Sequence, residues 1–376
     1  MNAQIRDFID WVLGPAKALD LADFMGGVAE RLVEMGLPID RAAALLETLH
    51  PSYVGIQRIW ERGGQTREGR ARFDNPLFSS QTIKYTIDAV QETGAWFDMR
   101  LDDPRVDEYD LLPDLRAQGY THYVMAPLAF VEGPVQGISF ATRRAAGFAA
   151  DDIALIDAAR PALAAVMELK IRTRVSREVL QAYVGKAPGD LILAGQIRRG
   201  EVRNLRAALT MSDLRGFTAM SDALTPEQTV AQINSYLECL VPEILQRGGE
   251  VLKFIGDGVL AMADANALGD ADACARMLDA ATAAQTALAK AGFRAGIALH
   301  LGEAAFGNIG AGDRQDFTII GRDVNMVARL EKMCGTLGEP VVVSAEFAAA
   351  IDRPWRRLGE FAFKGFEGAR PVYAPG

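Results

Sequence analysis

The chain of 376 residues has three cysteines (Cys239, Cys274, Cys334) and three histidines (His50, His122, His300). Three is an odd count for a disulfide framework and none of the cysteines has CxxC spacing, and the histidines are too scattered to suggest a metal cage. Buried, inert thiols in a reducing compartment are the expectation. No stretch reaches the eighteen or so uninterrupted apolar residues of a membrane helix. The opening MNAQIRDFIDWVLGPAKALD has no basic n-region, so no signal peptide is expected and a cytoplasmic location is. An excess of positive charge is also missing: the net charge is -9, which argues against a nucleic-acid surface but not against a phosphate substrate met by local cations and metals. Internal repeats and low-complexity segments are absent.

What is present reads as globular. Apolar residues make up 49% and charged residues 24%, and the length exceeds what one core usually holds, so two domains are expected. The first zone, residues 1–168, opens with amphipathic helical patterns around Leu21 to Met35 and Ile39 to Leu49. Short strands follow at Val54 to Trp60, Thr121 to Phe130 and Gly137 to Arg143, the last two joined by a hairpin signal at VEGP. A long helix is expected over Ile153 to Val184. Its apolar spacing suits either pairing with a second copy or packing on its own domain. GKAPGDLILAG then breaks the helix, so residues 169–200 form a helical connector and linker. The third zone, residues 201–376, mixes strands and helices with hairpins, which indicates an α+β sandwich rather than a doubly wound parallel sheet. Its first helix is signposted by Thr225 as cap, Pro226 at the first position and Gln228 for a capping box.

Three segments of that zone carry chemistry. Asp213, in TMSDLRGFT, ends an apolar strand, where a carboxylate can hold a hard cation. The amides of Gly216, Phe217 and Thr218 beside a helix start can cradle phosphates. Asp257, in KFIGDGVLA, sits in a tight hairpin; turn chemistry alone explains it unless the turn lies beside Asp213, where two carboxylates could share two divalent ions. In GRDVNMVARLE, Asn325 and Arg329 are four apart and share a helix face, so an amide and a guanidinium can grip a ribose oxygen and a phosphate. Singly, each of these is more often a solvated turn or helix face.

Together and in this order the three segments resemble the catalytic domain of the class III nucleotide cyclases, a ferredoxin-like α/β sandwich, over about Glu201 to Gly376. The resemblance implies that Asp213 and Asp257, with the Leu214 carbonyl, are ligands of two divalent ions (Mg²⁺ or Mn²⁺). It implies that Asn325 orients the ribose, that Arg329 stabilises charge on the phosphate and that Lys364, in FAFKG, binds the terminal phosphates. Arg314 is a looser phosphate-side candidate. Lys253, four residues before Asp257, matches a lysine that reads adenine N1. Thr318, seven before Asn325, matches the class IIIb partner that accepts from the adenine amino group. Guanylate cyclases typically carry Glu and Cys at these places. An adenylate cyclase acting on ATP as a head-to-tail homodimer is therefore implied, with no nucleic-acid or membrane partner. The first zone is similar, loosely, to a GAF domain, through HYVMAPLAF, GISFATR and the exit helix; Trp60, Trp96, Phe97, Tyr120, His122 and Tyr123 are its candidates for lining a small-molecule pocket, with core packing as their other role.

Two competing expectations have a sequence test. A non-catalytic module of the same fold would have lost a metal Asp, the Asn or the Arg, and none is missing. A diguanylate cyclase would explain RGGEVLKFIGDG superficially, but it would leave the Asn-xxx-Arg helix without a role.

Overall fold

The computed structural model describes residues 3–50, 53–72, 84–312 and 314–376, and the chain divides into two compact units, Met1–Val179 and Leu180–Gly376. No helix among the described residues is long and apolar enough to cross a membrane.

The first unit contains helices α1 (Ala3–Leu13) and α2 (Leu21–Glu34), then strands β1 (Arg41–His50), β2 (Tyr53–Glu61) and β3 (Arg67–Arg72). It continues with α3 (Thr86–Thr93), β4 (Phe97–Arg100), α4 (Leu112–Ala117), β5 (His122–Leu128), β6 (Gln136–Thr142) and the 35-residue helix α5 (Ala150–Val184), whose last turn falls past the unit boundary. The six strands form one sheet in the order β3-β2-β1-β6-β5-β4. One face packs on α1, α2 and α5; the other carries a second cluster that includes Phe97, Leu112, Leu115 and Tyr123.

The expected helix over Ile39 to Leu49 is instead β1, paired with β2 and β6 on either side. RAAALLETLH is rich in good helix formers, but propensity is a weak prior against burial on both faces of a sheet. Ala42, Ala44 and Leu46 enter one core, and alternate residues Ala43 and Leu45 turn to the other face. On α5, Ile156, Leu163, Val166, Met167 and Ile171 are buried in the unit's own core, so up to that point the helix packs on its own domain. Tyr183, near its end, is 80% exposed.

In the second unit, Gly185 breaks the chain's helical course at φ +92, but Lys186–Leu193 resumes as α6, where a plain break was expected. β7 (Val202–Leu214), α7 (Phe217–Ser221), α8 (Pro226–Gln246), β8 (Glu250–Ile255), β9 (Gly258–Asp264), α9 (Ala265–Leu268), α10 (Asp270–Ala291) and β10 (Ala295–Ala311) follow. Then come β11 (Arg314–Ile320), α11 (Arg322–Leu337), β12 (Val341–Ser344), α12 (Ala345–Ala350), β13 (Trp355–Ala362) and β14 (Ala369–Pro375). The sheet order is β13-β14-β12-β10-β7-β9-β8, with β11 on β10. Its β7–α8–β8–β9–α10–β10 portion is a βαββαβ unit with the ferredoxin-like fourth-first-third-second strand order. The Thr225/Gln228 capping box forms in full at the start of α8, a device that contributes about 1 kcal/mol. Helices α8, α10 and α12 cover one face of the sheet; α11 packs on the other, joined by Leu191 and Ile192 of α6.

Candidate active site

The acidic end of the site is built by strand pairing. β7 pairs with β9 through Ser212↔Val259, and β8 returns into β9 through Ile255↔Gly258, which leaves Gly256 and Asp257 as a two-residue loop. Gly256 has φ +64 at the first loop position, where tight hairpins favour glycine. Gly258 is required by close approach: a Cβ there would sit 2.9 Å from Ser212 O and 3.7 Å from Asp213 Oδ1. The loop therefore lays Asp257 over the end of β7, where Leu214 N donates to Asp257 Oδ2 at 3.3 Å. Burial, and then the charges of Asp257 and Glu331, push the Asp213 carboxyl up to about 6. Two carboxylates are thus held together against their own repulsion. Among the described residues no three His, Cys, Asp or Glu side chains group as a metal cage. Gly216 caps the short α7 at φ +77, which brings the Phe217 and Thr218 amides to the same end of β7.

Arg215 and Glu331, unnoticed in the sequence, complete this corner. Arg215 Nη2 donates to Glu331 Oε1 at 3.0 Å and to Glu331 O at 3.2 Å. Gly296 makes room for it, since a Cβ there would lie 2.1 Å from Arg215 Nη2. Glu331 is buried, and burial raises its carboxyl while Arg215 opposes the rise. Removing Arg215 would leave the buried Glu331 carboxyl without its ion partner.

The residues expected to read the base lie on an exposed face. Lys253, on β8, forms an ion pair with Asp316 on β11. Strand alternation places Arg314, Asp316 and Thr318 on one side of β11, while Phe317 and Ile319 face the core. Lys253 and Thr318 are thus brought to the same patch, with Arg314 at its far end beside the β10–β11 turn. Asp316 was missed; its position two residues before Thr318 was the available signal.

On α11, Asn325 is exposed and Arg329 half-buried, while Met326, Val327, Leu330 and Glu331 are buried. At about 100° per residue Asn325 and Arg329 lie about 40° apart, but Glu331 lies about 200° beyond Arg329. Glu331 is the α11 side chain whose charge reaches Asp213, so Asn325 and Arg329 face away from the carboxylates of their own chain. Arg329 borders the β13–β14 loop. The Cβ position of Gly365 is 3.7 Å from Arg329 Nη1, which places Arg329 next to the segment of Lys364. Arg322, Arg329 and Arg370 stand 4.5, 5.4 and 5.1 Å from the Phe366 ring centre.

The cysteines are free, and burial pushes the Cys274 and Cys334 thiols up to about 12, so neither is a nucleophile at neutral pH. The side chain of His50 lies outside the described residues. Of the six aromatic and histidine candidates in the first unit, Tyr123 alone borders a cavity of about 150 Å³ among the described residues. Trp60, Phe97 and Tyr120 are core residues, Trp96 donates to Asp157 Oδ1 at 3.1 Å, and His122 is locked between Asp98 Oδ1 at 2.7 Å and Phe148 N at 3.0 Å.

Residues 203–368 match the family model of the adenylate and guanylate cyclase catalytic domain. Adenylate cyclase 1 of Rhizobium meliloti (strain 1021) is 31% identical over 173 residues, 43% of this chain and 26% of that protein. An adenylate cyclase of Anabaena cylindrica is 30% identical over 172 residues, 42% of this chain and 33% of that protein. The matched stretch is thus only a quarter to a third of these relatives' length. Among solved structures, the adenylyl cyclase CyaB from P. aeruginosa is 26% identical, covering 46% of this chain and 94% of that one, with a TM-score of 0.41.

Proposed function

We propose that the class III adenylate/guanylate cyclase catalytic domain of residues 203–368 closes ATP to 3′,5′-cyclic AMP and pyrophosphate, with two divalent cations at Asp213 and Asp257 and with each active site shared between two copies of the chain. The observation that carries the reading is the convergence of Asp213 and Asp257 at the ends of neighbouring strands, where burial and like charge hold the Asp213 carboxyl near 6. A hard-oxygen pair without a third acidic or imidazole ligand fits Mg²⁺ or Mn²⁺, which take one or two carboxylates and fill the rest from carbonyls such as that of Leu214, water and substrate phosphates. Bound there, such ions supply Lewis-acid stabilisation of the attacking 3′-oxygen and of the leaving pyrophosphate.

The chain's own groups bind and orient the nucleotide. Lys253 donates to adenine N1 and Thr318 accepts from the 6-amino group, while Asp316 holds the ammonium on their common face. Asn325 fixes the ribose, and Arg329 meets the charge that builds on the α-phosphate. Lys364, Arg314 and the Gly216–Thr218 amides take the remaining phosphate oxygens. The outward turn of Asn325 and Arg329 supports a homodimer, because a second copy must bring these groups to the carboxylates. That two relatives near 30% identity bear the name adenylate cyclase supports ATP over GTP.

The test is production of cyclic nucleotide by the purified chain with ATP or GTP and Mg²⁺ or Mn²⁺. Replacing Lys253 by Glu and Thr318 by Cys together is expected to lower kcat/KM for ATP by at least about 100-fold, because the donor to N1 becomes an acceptor. Unchanged ATP kinetics in that double variant would remove these residues from base reading.

The first unit, with its exit helix, is the regulatory part of this reading: a GAF-like sensor whose cavity of about 150 Å³ admits only a small ligand. Since α5 is buried in that unit's core as far as Ile171, deletion is best made at the boundary, removing Met1–Val179. A sensor predicts altered basal activity in a chain that still dimerises. Activity that disappears on dilution and returns at high concentration would assign the unit to dimerisation alone.

A further inference from the structure

We propose that His300 is a positioning residue for the helix that carries Asn325 and Arg329, acting through Asp323; this rests on the cyclase reading above. His300 lies on β10 with 2% of its surface exposed. Its Nδ1 is 2.8 Å from Ser344 Oγ, and its Nε2, buried with no hydrogen-bond partner, stands 3.6 Å from Asp323 Oδ1. Ser344 caps α12 and its oxygen already accepts from Phe347 N at 3.2 Å, so its own hydroxyl hydrogen is available to Nδ1. That assignment leaves the imidazole proton on Nε2, facing the Asp323 carboxylate. An unpaired buried N–H is costly, and the acceptor it faces lies just beyond hydrogen-bond reach.

Asp323 is the second residue of α11, acidic in its first turn, and its side chain reaches across to β10. Its Oδ2 accepts from Glu303 N on β10 at 2.7 Å, a contact possible only because residue 302 is glycine: a Cβ there would sit 2.3 Å from Asp323 Oδ2. The facing imidazole is the main reason its carboxyl is held below the usual carboxylate range. The first turn of α11 is thus bolted to β10 at one residue, two positions before Asn325 and six before Arg329. Glu346, 3.8 Å from Nδ1, is engaged by Arg370 at 2.8 Å, which leaves Asp323 as the carboxylate for Nε2. A loosened bolt lets the first turn of α11 shift slightly about its buried Met326, Val327 and Leu330, and a displacement of about 1 Å at such groups is enough to cost on the order of 100-fold in rate.

Two substitutions separate the two ring nitrogens. His300→Asn keeps a polar group where Nδ1 meets Ser344 and loses the reach to Asp323; His300→Gln keeps an amide N–H where Nε2 faces Asp323 and loses Ser344. His300→Asn is expected to lower kcat about 10- to 100-fold, with KM for metal-ATP within about twofold and faster amide exchange over Asn325–Arg329. His300→Gln should stay within about threefold in kcat, with exchange in that turn unchanged. Equal losses in the two variants, losses that follow melting temperature alone, or exchange unaltered in His300→Asn would overturn the proposal. Should the unmodified chain form no cyclic nucleotide, the cyclase reading fails, and the exchange comparison still decides whether His300 anchors α11.

Discussion

Asp257→Asn is expected to cut cyclic AMP formation by more than about 100-fold while the protein stays folded, because a neutral amide cannot replace a shared anionic ligand of two divalent ions. The fold should tolerate the change. Asp257 lies in a two-residue hairpin loop whose turn depends on Gly256, and an amide oxygen can still accept from Leu214 N. The electrostatics give this variant a second signature. The folded carboxyl of Asp213, near 6, lies above its ordinary value of 3.8. Between those two values the folded state binds more protons than the unfolded one, so ionising Asp213 opposes folding as pH rises through 6. Burial, the larger cause, stays in the variant, but removing the Asp257 charge relieves part of that opposition. The apo protein should therefore melt no lower than wild type at neutral pH, and the Asp213 titration should move down toward the ordinary carboxylate range. Lost activity with an unchanged or higher melting temperature fits a metal ligand. Near-normal cyclic AMP production would sink the assignment.

The same pair shows how far the sequence alone reaches. Asp213 and Asp257 were legible because strand ends, glycine turns and carboxylates leave local marks, and the two apolar runs around Gly256–Gly258 fixed the hairpin. The α8 start was legible for the same reason, since a capping box is written within four residues. What escaped is non-local. Arg215 and Glu331 are 116 residues apart, and their pairing depends on the clearance that Gly296 gives where β10 passes β7. Asp316 acquires its place from Lys253 on β8, 63 residues earlier in the chain. β1 reads as a helix in the sequence because alanine and leucine do not announce whether a strand will lie on either side of them. Nor did the sequence pattern distinguish the two uses of α5, where the same apolar spacing serves a paired helix or a helix docked on its own sheet.

Coexpression of Asp213→Asn with Asn325→Ala offers the strongest test of a site built from two chains. Each variant alone should be nearly inactive, the first for want of a metal ligand and the second for want of a ribose contact. In a mixed dimer of the head-to-tail kind both lesions fall in one site. The Asp213→Asn chain spoils the site to which it brings carboxylates, and that same site takes its ribose contact from the Asn325→Ala chain, where the amide is gone. The other site then has intact carboxylates from one chain and an intact Asn325 from the other. Random pairing makes half of the dimers mixed, and each mixed dimer keeps one site of two, so coexpression should restore about a quarter of wild-type activity. The physical basis is the geometry of α11. Glu331 faces the carboxylates of its own chain, and Asn325 and Arg329 stand on the far side of the helix. A site within one chain would require that helix to turn about half a revolution, which its buried Met326, Val327 and Leu330 forbid. Mixed dimers isolated with two different affinity tags should show about half of wild-type turnover per dimer. If such isolated heterodimers are as inactive as either parent, all the residues belong to one chain's site and the shared arrangement is wrong.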